Sequence, residues 1–205
     1  SKGTITLNNV NADNNASVGE TLGAWLSTSG SPGSIYIYDT YGPNSFSGNE
    51  GILGTDEEGG HGLYAFTWHN IVVNGATADR NSFDGLRLEN SFGTGSVTIN
   101  GSHGGDNGKY GLEVTSKGAI KITDSSFIGN MVGNAYLDNI PDAATGPAVT
   151  ILRGEFSNSD QGFGLTVLSK GAITLTDSRA DENISFGAVL DNSAGTAGIS
   201  ILTKK

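Results

Sequence analysis

The chain repeats itself, and the repeat limits the folds open to it. GLEVTSKGAIKITD at 111–124 returns as GLTVLSKGAITLTD at 164–177, 53 residues later. NAYLDNIPDAATGPAVTIL at 134–152 returns as GAVLDNSAGTAGISIL at 187–202, at the same offset. These two motifs alternate, so the 53-residue module holds two related half-units. Aligned on a start of the form Gly-apolar-x-apolar, the half-units begin at Gly23, Gly62, Gly85, Gly111, Asn134, Gly164 and Gly187. Most are spaced by 23 to 30 residues; the 39-residue gap after Gly23 holds the acidic, Gly-rich stretch NEGILGTDEEGGHG. A unit of this size cannot close a core alone. It must stack on its neighbours and share an interior with them.

Each half-unit carries three short segments of alternating apolar and polar residues, separated by Gly, Asn, Asp and Ser. That pattern predicts half-buried strands. The first segment is GLRL, GLEV, AYL or GLTV; the second is SVTIN, AIKIT, AVTIL, AITLT or GISIL; the third is weaker and ends in Asn. No segment has a helical period. The expectation is an all-β parallel β-helix (β-solenoid) of about eight coils with three short strands per coil, its like strands ~4.8 Å apart. One solenoid domain spans 1–205, with a long loop insertion near 47–61. In the second strand the inward pairs run from Ile5/Leu7 through Ile35/Ile37, Ile71/Val73, Val97/Ile99, Ile120/Ile122, Val149/Ile151 and Ile173/Leu175 to Ile199/Ile201. Four residues before each start, Asn15, Asn81, Asn107, Asn130, Asp160 and Asn183 form a column that predicts an asparagine ladder at one corner. At Asp160 the preceding Phe156 is one position out, which predicts a one-residue bulge or shift.

The GLxVxSKGAIxLxxS units ending in Asn resemble the right-handed parallel β-helix repeat proteins of the pectate-lyase-like superfamily, in their non-catalytic bacterial surface and fibre forms. The resemblance is strong over 85–202 and loose over 18–84. It implies right-handed coiling, in line with the general preference of parallel crossovers. The superfamily also contains polysaccharide lyases and hydrolases, in which Asp residues bind calcium and a basic residue abstracts a proton.

Charge narrows the partners. With 11 basic and 21 acidic residues the chain carries −10, which disfavours nucleic acid and anionic membranes. No apolar run reaches the ~20 residues of a transmembrane segment. Zero Cys excludes disulfides and thiolate chemistry.

Asp124, Asp177, Lys117, Lys121 and Lys170 are the residues a lyase-like site would draw on, but they sit at repeat-equivalent turns and read as turn chemistry. The three histidines, His61, His69 and His103, form no ligand spacing. Asp56, Glu57 and Glu58 in the long loop are weak calcium candidates; no other cofactor is expected. The outward column of the first strand reads Trp25, Tyr64, Arg87, Glu113, Tyr136, Thr166 and Val189. Tyr36 and Tyr38 face outward on the second. Outward aromatics stack on sugar rings or on protein, so Trp25, Tyr36, Tyr38, Tyr64 and Tyr136 are the ligand- or partner-binding candidates.

The chain opens at SKGTITLNN, past a first strand, and ends at ISILTKK. Unpaired strand edges at both ends predict stacking on another copy or on neighbouring repeats of a longer chain. The functional expectation is a non-enzymatic structural or adhesive segment of an extracellular bacterial solenoid at the cell surface, a fibre-forming or surface-layer subunit. The alternative is a carbohydrate-binding or polysaccharide-degrading domain that uses the aromatic face.

Overall fold

The computed structural model describes residues 2–16, 21–28, 30, 32–51, 59–139, 146–203. The described residues form three parallel sheets wound into a β-solenoid. Eight strands, Ile5–Asn8, Ile35–Tyr38, Ile71–Asn74, Val97–Asn100, Ile120–Thr123, Val149–Leu152, Ile173–Thr176 and Ile199–Leu202, stack in chain order, so the chain makes seven turns from the first to the last of them. Seven more, Leu22–Ser27, His61–Phe66, Leu86–Asn90, Tyr110–Ser116, Gly133–Asn139, Phe163–Ser169 and Ala188–Asp191, build the sheet of the first segment. A third sheet holds Asn44–Ser45, Ala76–Thr77, His103–Gly105 and Ser126–Ile128.

The register follows the alternation. Ile5, Ile35, Ile71, Val97, Ile120, Val149, Ile173 and Ile199 are successive partners, and the residues two further on form the parallel column Leu7 to Ile201. From Ile35 to Ile173 the first of these columns is fully buried. A one-residue slip would turn every β-branched side chain outward, so the pattern pins the register. The third strands, and the residues that continue or replace them, contribute Phe46, Ala76, Ala78, Phe127 and Phe156 to the same interior. Phe127 and Phe156 stack at 6.2 Å, and Gly104 is small where a Cβ would press on the Phe127 ring at 3.0 Å.

The corner before the first strand is fixed by a ladder of amides, buried from Asn49 to Asn134. Its members are Asn15, Asn49, Asn81, Asn107, Asn130, Asn134 and Asn183, linked Nδ2 to Oδ1 over 2.8–3.0 Å. From Asn49 to Asn134 each Oδ1 also accepts the backbone N–H of the previous member. The second Nδ2 proton goes to a carbonyl, as from Asn107 to Ala78 and from Asn130 to Gly104. At Asn107, Asn130 and Asn134 every amide hydrogen-bonding site is thereby satisfied through the chain's own stacking. The residue preceding Asn15, Asn49, Asn81, Asn107, Asn130, Ser159 and Asn183 is left-handed: Asn14, Gly48, Arg80, Asp106, Gly129, Asn158 and Glu182 all have φ between 52° and 70°.

That column corrects the expectation at Asp160. Asp160 is exposed, and Ser159 holds the rung position three residues after Phe156, as Asn130 follows Phe127. Ile184 donates to the Ser159 carbonyl as Met131 does to that of Asn107. The irregularity is a one-residue shift: the additional residue lies between Ser159 and Gly164 and not before the rung. The amide missing at Ser159 is supplied by Asn134, which bridges Asn130 to Asn183. The reason lies in the start positions. A Cβ on Gly111 or Gly164 would meet a rung amide, Asn130 or Asn183, at 2.6 or 2.5 Å. Gly is needed there because the rung fills the space. Where the start residue is Asn134, the rung residue shrinks to Ser.

The alternating corner between first and second strands has a related basis. In the tight turns the Ser116 and Ser169 hydroxyls accept the N–H groups of Gly118 and Gly171, both at 3.0 Å. In the following long-loop coils Asn139 and Asn192 donate back to the Gly118 and Gly171 carbonyls. This pairing of a Ser coil with an Asn coil is the 53-residue module in physical terms.

The exchange at the ladder is testable by a double-mutant cycle. Asn134→Gly and Ser159→Asn each destabilise the fold, the first by about 1–3 kcal/mol for each amide it orphans. Together they recreate the Gly and Asn pair of the other coils. Urea unfolding of the double variant is expected to fall within about 1 kcal/mol of wild type, giving a large coupling energy. Additive losses would contradict the exchange.

Candidate functional site

The outward column of the first sheet is continuous. Trp25, Tyr64, Arg87, Glu113, Tyr136, Thr166 and Val189 are register partners from strand to strand. Trp25 and Tyr64 stack at 6.2 Å, with Trp25 two-thirds exposed. The Arg87 guanidinium lies over the Tyr64 ring at 5.2 Å, and the Tyr64 hydroxyl donates to Glu89 at 3.0 Å. Tyr36 and Tyr38 stack on each other at 5.7 Å on the second sheet, away from this column. The five aromatic candidates thus divide: Trp25, Tyr64 and Tyr136 share one face, and Tyr36 and Tyr38 lie on another.

The concave part of this face lies towards its C-terminal end. A groove of about 480 Å³ is lined by Tyr110, Tyr136, Phe163, Phe186, Thr166 and Val189, with Gly133 and Ala135 at its base. Two ring pairs form its walls. Tyr110 and Tyr136 stack at 5.7 Å, and Phe163 and Phe186 at 5.6 Å. Gly133 makes the depression, because it pairs with Tyr110 on one side and Phe163 on the other and adds no side chain between them. A Cβ there would press on the Tyr110 ring at 3.1 Å. Phe163 and Phe186 are well exposed, as is the adjoining Ile184. Of the groove's four rings only Tyr136 was a sequence candidate. Tyr110, Phe163 and Phe186 each stand one residue before a glycine start, where they read as turn residues. The signal that finds them is that recurrent aromatic-Gly pair.

Polar groups gather at the Tyr110 end of the groove. Asp84 is fully buried, and its Oδ1 accepts the Tyr110 N–H at 3.0 Å. Its Oδ2 lies 3.1 Å from Nδ1 of His61, also buried. The Glu113 carboxyl lies near Asp84 and 3.3 Å from Nζ of Lys109. Burial, then the neighbouring Asp84 carboxylate, push Glu113 above the usual carboxylate range, against the pull of Lys109 and Arg87. The Tyr136 phenol is raised by burial, by Asp138 and by Glu113. His61, Asp84 and Glu113 come from three successive coils, so no local motif announces them.

The other sequence candidates do not converge. Asp124 and Asp177 occupy left-handed turn positions, both with φ 49°. Asp124 is gripped by Arg153, whose Nη2 lies 2.7 Å from Oδ2, and this pairing lowers the Asp124 pKa. Arg153 is therefore an exposed ion-pair partner across adjacent coils. Lys121 is exposed. His69 is exposed, and His103 lies 3.4 Å from Asp79. Asp56, Glu57 and Glu58 lie outside the described residues. Among the described residues no group of three or more His, Asp or Glu is placed to hold a metal ion, and no helix is long and apolar enough to cross a membrane.

The raised Glu113 has a consequence for stability. An acid whose folded pKa exceeds its unfolded one binds more protons in the folded state, so its stabilising contribution is complete at low pH and is lost as pH rises through the folded pKa. Urea unfolding from acid to neutral pH should show Glu113→Gln gaining on wild type as pH rises. A constant difference would contradict the Asp84 contact.

Comparison with protein-family models, curated proteins and solved structures finds no match for this chain.

Proposed function

We propose that this chain is a structural and adhesive segment of an extracellular surface, a stiff solenoid that holds a carbohydrate chain along its first sheet. The groove between the Tyr110–Tyr136 and Phe163–Phe186 pairs carries this reading. Sugar rings present flat faces of C–H groups that stack on aromatic rings, and their rims carry hydroxyls for polar partners. The groove offers both, with four rings and Thr166 lining it and Glu113 next to Tyr136 on the preceding strand. Its rings rise from adjacent coils, so their spacing is set by backbone hydrogen bonds, and little ordering remains to be done on binding. Rigidity along the axis comes from the ladder and the shared apolar interior.

A second reading, cleavage of the bound glycan, is favoured by one observation. Glu113, shifted upward beside Asp84 at the end of the groove, has the character of a general acid. Release of new reducing ends, lost in Glu113→Gln, would support it; binding without product supports adhesion alone.

The binding reading is tested by calorimetry against a panel of hexose and hexosamine oligosaccharides. Saturable binding is expected, weakened about tenfold or more by Tyr136→Ala or Phe163→Ala and unaffected by Tyr36→Ala on the other sheet. Binding that survives both groove substitutions would place the ligand elsewhere.

A further inference from the structure

We infer that the groove selects a cationic amino-sugar chain, a glucosamine-type polymer with free amines. This rests on the groove being a glycan site and adds the charge of its ligand.

Tyr136 is the ring that decides it. Glu113 is its register partner on the preceding strand, and Asp138 stands two residues along on the same face of its own strand. Neighbours at these positions lie ~5 Å and ~7 Å away. Thr166, the partner on the following strand, is uncharged, and Tyr110 covers one side of the ring. Both carboxylates act on the phenol, raising its pKa in addition to burial. Glu113 is already held by Lys109 at 3.3 Å, so an incoming cation is attracted by the ring quadrupole and by the charge of Asp138.

The same sheet already uses its rings this way. Arg87 lies over Tyr64 at 5.2 Å, and Nζ of Lys109 lies 4.6 Å from the centre of the Phe83 ring and 5.2 Å from that of Tyr110. The chain's own cations thus sit on the rings up to Tyr110, and the groove continues the aromatic run through Tyr136, Phe163 and Phe186. From Tyr110 to Phe186 the groove crosses three strand spacings, ~14 Å. One lysine stem covers only part of that length. Successive sugar rings can cover both ring pairs while an amine reaches Asp138 beside Tyr136. A polyuronate would bring like charge to Glu113 and Asp138 and to a chain of net charge −10.

The test is calorimetric titration of the whole chain with four probes: the hexamer of glucosamine, the hexamer of N-acetylglucosamine, hexagalacturonate and hexalysine. The glucosamine hexamer is expected to bind at least tenfold more tightly than its N-acetylated form, with hexagalacturonate weakest. That preference should shrink as salt rises, a measurement that needs no variant. Asp138→Asn should reduce it several-fold and leave binding of the N-acetylated hexamer unchanged. Equal affinity for the two hexosamine hexamers, or tighter binding of hexagalacturonate, would overturn the charge selection and leave the glycan reading standing. Hexalysine binding as tightly as the glucosamine hexamer would overturn the sugar and point to a basic peptide. No saturable binding by any of the four would remove the glycan reading itself, and the inference with it.

Discussion

The asparagine ladder is the constraint from which the rest of the structure follows. Coils of 23 to 30 residues have no core of their own, so each must lock to the next in one register. A buried amide linked to its neighbours on both sides achieves this, because a displaced coil would strand polar groups away from water at a cost of about 1–3 kcal/mol each. The ladder also sets the residue at each strand start. Rung amides fill the space beside Gly23, Gly62, Gly85, Gly111 and Gly164, which leaves no room for a Cβ. Where Asn134 breaks that rule, Ser159 gives way and the amide chain passes through Asn134. A feature that looks like a defect in the repeat is an exchange of one rung between two positions of the same corner.

A locked register has an outward result. Side chains that share a column stand one strand spacing apart, ~4.8 Å, so neighbouring aromatic rings are brought to stacking distance. Trp25 with Tyr64 and Phe163 with Phe186 are examples. The column also brings Asp84 and Glu113 together from separate coils and spaces cations over rings. The groove is an omission in this order. Gly133 falls where the rings of Tyr110 and Phe163 would otherwise be continued. Recognition on such a surface depends on which residues the repeat places or leaves out, while the interior stays the same.

Much of the fold was legible because its period is two. The inward pairs from Ile5/Leu7 to Ile199/Ile201 and the outward column from Trp25 to Val189 follow from alternation and from aligning the starts. What escaped had definite causes. Asn49 was hidden by the insertion that parts it from Gly62. Ser159 was hidden because counting back from Gly164 crosses an additional residue and lands on Asp160. The groove was missed because three of its rings, Tyr110, Phe163 and Phe186, precede the glycine starts, and a side chain at a corner shows no alternation that tells its direction. The contact of His61 with Asp84 joins residues 23 positions apart, one coil, with no local motif to mark it.

Residue-resolved hydrogen exchange on the folded chain tests the role of the ladder most directly. If the amides lock the coils, the backbone N–H groups of Asn49, Asn81, Asn107 and Asn130, each bonded to the next rung, exchange among the slowest in the molecule and with a common opening free energy. Exchange at these corners as fast as at the turn amides of Gly30 and Ser193, with protection confined to the strands, would show that the sheets hold the solenoid without the ladder.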